Sequence, residues 1–188
     1  MSLALKLDEY YTYAEYLTWD TNDRYELIDG VPYLMSPAPS PAHQSVVAEI
    51  FNQIYTYLRD KPCRAFSSPT DVRLNPDGGD DTVVQPDILV VCDRNKIEKQ
   101  AIKGAPDLVI EVISPSTRNY DSMLKLSRYM EAGVRECWIV DAANYYVRVY
   151  VNNGDGTETL FVYNWDAEAI PASFIEGLAV DMRTVPRV

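Results

Sequence analysis

The chain has 188 residues and carries 28 acidic against 17 basic side chains, a formal net charge of −11, with a single histidine. That length suits one domain, residues 1–188, with a substantial core, and 47% hydrophobic with 24% charged residues is an ordinary globular composition. The acidity weighs against nucleic-acid binding, no apolar run approaches the ~18 residues of a membrane-spanning helix, and the opening MSLALKLDEYY lacks the apolar stretch of a secretory leader.

The acid excess is uneven. Residues 94–135 hold eight basic side chains against five acidic ones, a less acidic region in an acidic shell. Cys63, Cys92 and Cys137 are odd in number, far apart and each near a strand-like run. They read as free buried thiols, which fits a reducing compartment and a cytoplasmic protein.

The elements follow in chain order. LDEYYTYAEYLTW places Tyr10, Tyr13, Ala14 and Leu17 at helical spacing, a short N-terminal helix. RYELIDGVPYLM reads as two strands turning through Asp29-Gly30. After Pro37, Pro39 and Pro41, a long helix begins near Ala42 with Val46, Val47, Ile50, Ile54, Tyr57 and Leu58 on its apolar face, ending near Asp60. CRAFSSPTDVRL is a strand candidate, NPDGGDD a turn, TVVQPDILVVCD a second apolar run, and RNKIEKQAIKG a polar connection. LVIEVI follows as a strand, then a helix over about Asp121–Ala132 stopped by Gly133, with SPST offering its N-caps. CWIVD is a buried strand, and YYVRVYVNNGDGTETLFVY a hairpin. Strands interleaved with two long helices make the chain α/β or α+β, with an added N-terminal helix and hairpin and a C-terminal hairpin.

Two acids sit where acids are costly. Glu111 interrupts LVI-E-VI, and Asp87 lies in VVQPDILVV; an unpaired carboxylate buried there costs several kcal/mol. The connection between them permits neighbouring strands, so both carboxylates can meet on one sheet, where a shared proton or a divalent cation relieves their repulsion. Hard oxygen donors without a CxxC pair favour Mg²⁺ or Mn²⁺ over zinc. The bland alternative is a carboxylate hydrogen-bonded to a loop amide.

Lys125 shares a helix stripe with Asp121 and Tyr129 at the border of the core-facing side, from which its ammonium can reach inward. From the helix alone, an ordinary Asp121–Lys125 surface pair is the simpler reading. His43 falls in the first turn of the long helix, where a core or capping role is the simpler one. Glu26, in RYELIDG, is a third acid within reach of the same region. SPST lacks G-x-S-x-G and a base beside it, which makes a serine nucleophile a poor reading, and no phosphate-binding glycine loop occurs.

RYELIDGVPYLMSPAPSPAH, QPDILVV, GAPDLVIEVISPST and DSMLKLSRYMEAGVRECWIVD, in that order, resemble the Uma2 family of the PD-(D/E)XK nuclease superfamily, from about Asp8 to Val151. The resemblance implies a restriction-endonuclease-like core of mixed β-sheet flanked by helices, a homodimer, and Mg²⁺- or Mn²⁺-dependent hydrolysis of phosphodiester bonds in nucleic acid, with DNA as the expected substrate. It assigns Asp87 to the PD motif and Glu111 to the (D/E)XK acid, the two metal ligands. The motif's lysine belongs at position 113, where this chain has isoleucine, so the resemblance moves that role to Lys125 and lines the cleft with Glu26, His43 and Asp121. The competing function is a nuclease-like fold that binds a partner or nucleic acid without cutting.

Overall fold

The computed structural model describes residues 9–35, 38–113 and 121–188. A six-stranded mixed sheet forms the centre. Its strands are β3 (Arg64–Ser67), β6 (Ile88–Val91), β8 (Leu108–Ile113), β9 (Glu136–Asp141), β10 (Tyr146–Asn152) and β11 (Glu158–Asn164). They lie in the order β11-β10-β9-β8-β6-β3. Only β8 and β9 run parallel, and helix α3 (Asp121–Ala132) makes the crossover that parallel neighbours require. A second sheet, ordered β2-β1-β5-β4-β7, consists of β1 (Tyr25–Ile28), β2 (Val31–Leu34), β4 (Val72–Arg73), β5 (Val83–Val84) and β7 (Ile102–Lys103).

Period-two alternation along the central strands separates two cores. Ile88, Val90, Leu108, Ile110, Val112, Trp138 and Val140 face helix α2 (Pro41–Leu58) and the C-terminal segment. Leu89, Val91, Val109, Ile113, Cys137 and Ile139 face α3 and the smaller sheet. Glu111 and Asp87 share the parity of this second set. They therefore emerge on the α3 side, at the sheet end where β8 finishes and β6 begins.

Helix α2 keeps the expected apolar face: Val46, Val47, Ile50, Ile54 and Leu58 are buried, and Tyr57 is half-buried. Ser40 caps it by accepting from the His43 amide at 3.1 Å, and Pro41 occupies the first turn where a missing N–H costs nothing. The β1–β2 hairpin turns through Asp29 and Gly30 with φ of 52° and 77°, the paired left-handed conformations of a type I′ turn. The N-terminal helix shrinks to α1 (Tyr13–Tyr16), closed by a Thr12–Glu15 capping box. Capping by Ser114–Thr117 falls outside the described residues.

Two apolar runs that read as single strands each divide between the sheets. CRAFSSPTDVRL becomes β3 and β4, and TVVQPDILVV becomes β5 and β6. In each case a proline, Pro69 or Pro86, removes a ladder N–H at the division. The polar connection RNKIEKQAIKG likewise contains the two residues of β7. No helix among the described residues is long and apolar enough to cross a membrane.

The cysteine expectation needs correction. Cys137 is a free buried thiol, but Cys63 and Cys92 form a disulfide. The antiparallel register that pairs Arg64 with Val91 continues one residue outward to set Cys63 opposite Cys92. Three free thiols are thus excluded, and the cysteines no longer speak for a reducing compartment.

Candidate active site

The β6–β8 register pairs Ile88 with Ile110, and one further step sets Asp87 opposite Glu111. Directly opposed residues of an antiparallel pair hold their β-carbons about 5 Å apart, so the carboxylates meet without distorting the backbone. Strand β8 is buried on both sides, and the Glu111 side chain is only 12% exposed.

Its partner comes from α3. Lys125 Nζ lies 2.7 Å from Glu111 Oε1 and 2.8 Å from Glu26 Oε1, so one ammonium ties a strand of each sheet to the crossover helix. Lys125 is 9% exposed and points into the protein; the side chain of Asp121, its expected helix neighbour, lies outside the described residues. Glu26 also accepts the Gln85 amide at 2.8 Å, the N–H freed where the apolar run breaks before Pro86. Tyr129, one turn beyond Lys125, donates its hydroxyl to Glu111 Oε1 at 2.7 Å.

Asp87 accepts the Val112 amide at 2.8 Å through Oδ2. His43 Nε2 sits 3.3 Å from the same oxygen and 2.9 Å from the Val112 carbonyl oxygen. Two acceptors around one ring nitrogen require Nε2 to carry a proton, while the buried Nδ1 has no hydrogen-bond partner among the described residues. His43 is therefore neither a plain cap nor a core residue. Its backbone amide is the group that Ser40 caps, while its ring braces Asp87.

Burial pushes the Glu111 carboxyl above the ordinary carboxylate range; Lys125 opposes this, and Asp87 and Glu26 add to it. Burial works to discharge Lys125, but the Glu111 and Glu26 carboxylates outweigh it and hold the ammonium protonated well above its usual range. The hydrogen bond to Asp87 raises His43, against partial burial.

Glu26 and Glu111 flank the Lys125 ammonium and Asp87 faces Glu111 across the strand pair, an arrangement with residual negative charge. One oxygen each of Asp87 and Glu111, Oδ1 and Oε2, accepts no hydrogen bond among the described residues. No group of three or more His, Cys, Asp or Glu side chains able to enclose a metal occurs among them. Two free carboxylate oxygens fit a cation that keeps most of its waters, as Mg²⁺ does, better than an all-protein zinc or calcium cage.

The sequence missed Tyr129 and Gln85 as site residues. Tyr129 had a visible signal, since it lies on the Lys125 stripe of α3. Gln85 acts through its backbone, which residue type does not report. Arg24, exposed and hydrogen-bonded to Ser68 and Gln85 at the rim, was also missed.

The ion triad generates a stability prediction. Lys125→Met leaves two carboxylates buried side by side, and losing one partner of a buried pair costs about 3–5 kcal/mol. Glu111 can escape by taking up a proton, and its already raised pKa rises further without the ammonium. The variant's deficit should therefore be small near pH 5 and grow as pH rises to 8. Urea unfolding at both values checks this; a deficit independent of pH would contradict the buried charge balance.

Comparisons with known proteins bear on the fold and the family. A crystal structure of a "putative nuclease belonging to DUF820" from Anabaena variabilis superposes with a TM-score of 0.75, covering 93% of this chain and 97% of that one at 23% identity. An uncharacterized protein of Synechocystis is 26% identical over 152 residues, 79% of this chain and 78% of that protein. The model of Uma2, described as "Putative restriction endonuclease", matches residues 13–183. Asp87, Glu111, Lys125, Glu26 and His43 all lie within that match, and the chain belongs to the Uma2 family.

Proposed function

We propose that the protein is a Mg²⁺-dependent endonuclease that hydrolyses phosphodiester bonds in DNA, with Mn²⁺ able to substitute. The observation that carries the reading is the Lys125 ammonium held 2.7 Å from Glu111, on the strand residue facing Asp87. Position 113, where the PD-(D/E)XK motif of the superfamily carries lysine, holds a buried isoleucine. Lys125 supplies the missing charge from the crossover helix.

Asp87 and Glu111 would hold the cation, which supplies polarisation of the scissile phosphate and a more acidic bound water. The remaining steps belong to the chain's own residues. An ammonium has three N–H bonds. Lys125 directs two at Glu26 and Glu111, which fixes the direction of the third without further cost at the moment of reaction. That third donor is available to a phosphate oxygen or the attacking water, and its charge opposes the negative charge gained in the transition state. Glu26 is a positioning residue: it holds Lys125 and keeps the ammonium charged. His43 positions Asp87, with its ring against Oδ2 and its backbone fixed by the α2 cap.

The homodimer expected from the resemblance has a surface suited to it. Strand β11 is an edge strand seven residues long, with Leu160, Phe161 and Val162 exposed on its two faces. Antiparallel self-pairing about Phe161 would set Glu158 against Asn164, so no like charges would oppose one another. Sedimentation at micromolar concentration should give a dimer that Phe161→Lys converts to monomer; a wild-type monomer would refute it.

Activity is tested on plasmid and single-stranded DNA with Mg²⁺ or Mn²⁺. Wild type should cut, and Asp87→Asn, Glu111→Gln and Lys125→Met should each lose about 100-fold or more, with circular dichroism confirming that Asp87→Asn stays folded. No cutting by wild type, or cutting that survives Asp87→Asn, would overturn the nuclease and favour a fold that binds without cleaving.

A further inference from the structure

A concentration of positive charge without carboxylate partners among the described residues lies away from the acids. Arg59, Lys61, Arg64 and Arg94 line an open hollow of about 470 Å³, with Asp60 the only acid in its wall. The hollow sits where α2 ends, β3 begins and β6 has just finished. Several arginines elsewhere in this acidic chain carry carboxylate partners: Arg73 pairs with Asp80 and Glu98, Arg128 with Asp29 and Glu131, and Arg187 with Asp166. None of the four in the hollow has one among the described residues.

The carbonyls that hold these side chains explain why they stay together. Arg64 donates to the carbonyl oxygens of Lys61 and Cys63 at 2.6 and 2.9 Å, and Arg94 donates to that of Pro62 at 3.4 Å. Three successive carbonyls of one loop thus anchor two guanidiniums. The Cys63–Cys92 bond fastens that loop to the end of β6, one residue from Arg64 and two from Arg94. Favourable interaction with the negative end of α2 accounts for Arg59 and Lys61 at a helix C-terminus. It does not account for Arg64 and Arg94, which lie on other elements.

We propose that this hollow is a second phosphate-binding site, engaging the sugar-phosphate backbone of the nucleic acid whose cleavage is assigned above to Asp87, Glu111 and Lys125; it rests on that reading. Asp87 and Cys92 bracket β6, so about five residues at ~3.3 Å each separate acids and hollow by about 17 Å. Measured along the duplex axis, that is the rise of about five base pairs at ~3.4 Å per phosphate of one strand. Arg24, exposed and in ion-pair contact with no carboxylate among the described residues, stands at the Asp87 end of the same sheet edge. A strand laid along β3 would meet cations at both ends and the acids near one of them. The rest of the acidic surface would repel it from other paths.

The test is binding of a labelled 30-base-pair duplex, in EDTA to prevent cleavage, over a salt series. Arg64→Gln/Arg94→Gln should weaken binding about tenfold at moderate salt and lower the slope of log K against log salt by about 2, one unit per lost phosphate contact. Thermal melting should confirm that the double variant remains folded. The same variant should hydrolyse bis(p-nitrophenyl) phosphate, too small to reach the hollow, at the wild-type rate, whereas Asp87→Asn should not. Unchanged affinity and salt slope in the double variant, or no duplex binding by wild type, would overturn the proposal. Metal-dependent hydrolysis lost in Asp87→Asn would leave the nuclease standing in either case.

Discussion

One ammonium organises this protein. Lys125 bridges Glu26 of the smaller sheet and Glu111 of the larger one, so the two sheets and the crossover helix meet at a single buried charge. Taking these groups out of water is costly, and their attraction compensates only while all of them are present. The same contact that makes the interior tolerable also fixes a cation beside two carboxylates. Stability and chemistry are therefore not separable at this position, and Tyr129 strengthens both by donating to Glu111.

Glu136 shows what a buried acid looks like when it is only structural. It is fully buried at the start of β9, with Trp138 Nε1 donating at 2.5 Å and the Ser173 amide at 2.7 Å. Neutral donors from a neighbouring residue and the C-terminal segment satisfy it, and that segment is pinned to the sheet as a result. Glu111 differs in kind: its partner is charged, and a second and third carboxylate stand close enough to raise its pKa. An apolar strand interrupted by an acid is thus an ambiguous sign, and the surrounding charges decide its meaning.

Much of this was legible in the sequence where periodicity carried the information. The LVIEVI and PDILVV runs read as strands whose connection permitted Asp87 and Glu111 to be neighbours, and the α3 stripe put Lys125 at the border of the core. What escaped depended on long-range register or on backbone groups. Pro86 marks the point where one apolar run changes sheets, and composition shows the proline without showing the destination of the chain. Cys63 and Cys92 face each other only because β3 pairs antiparallel with β6. His43 looked like a capping or core residue, and its amide is in fact the group that Ser40 caps; its ring reaches Asp87 because the first turn of α2 overhangs the end of β8. Two functions of one residue cannot be separated by spacing alone.

The central claim is that the charge left over by three carboxylates and one ammonium selects a divalent cation between Asp87 and Glu111. The most direct measurement is anomalous scattering from crystals grown with Mn²⁺. The account predicts one peak in direct contact with both carboxylates, with the Lys125 ammonium still on Glu111. No peak there, or a cation bound only after Lys125 has left Glu111, would contradict it.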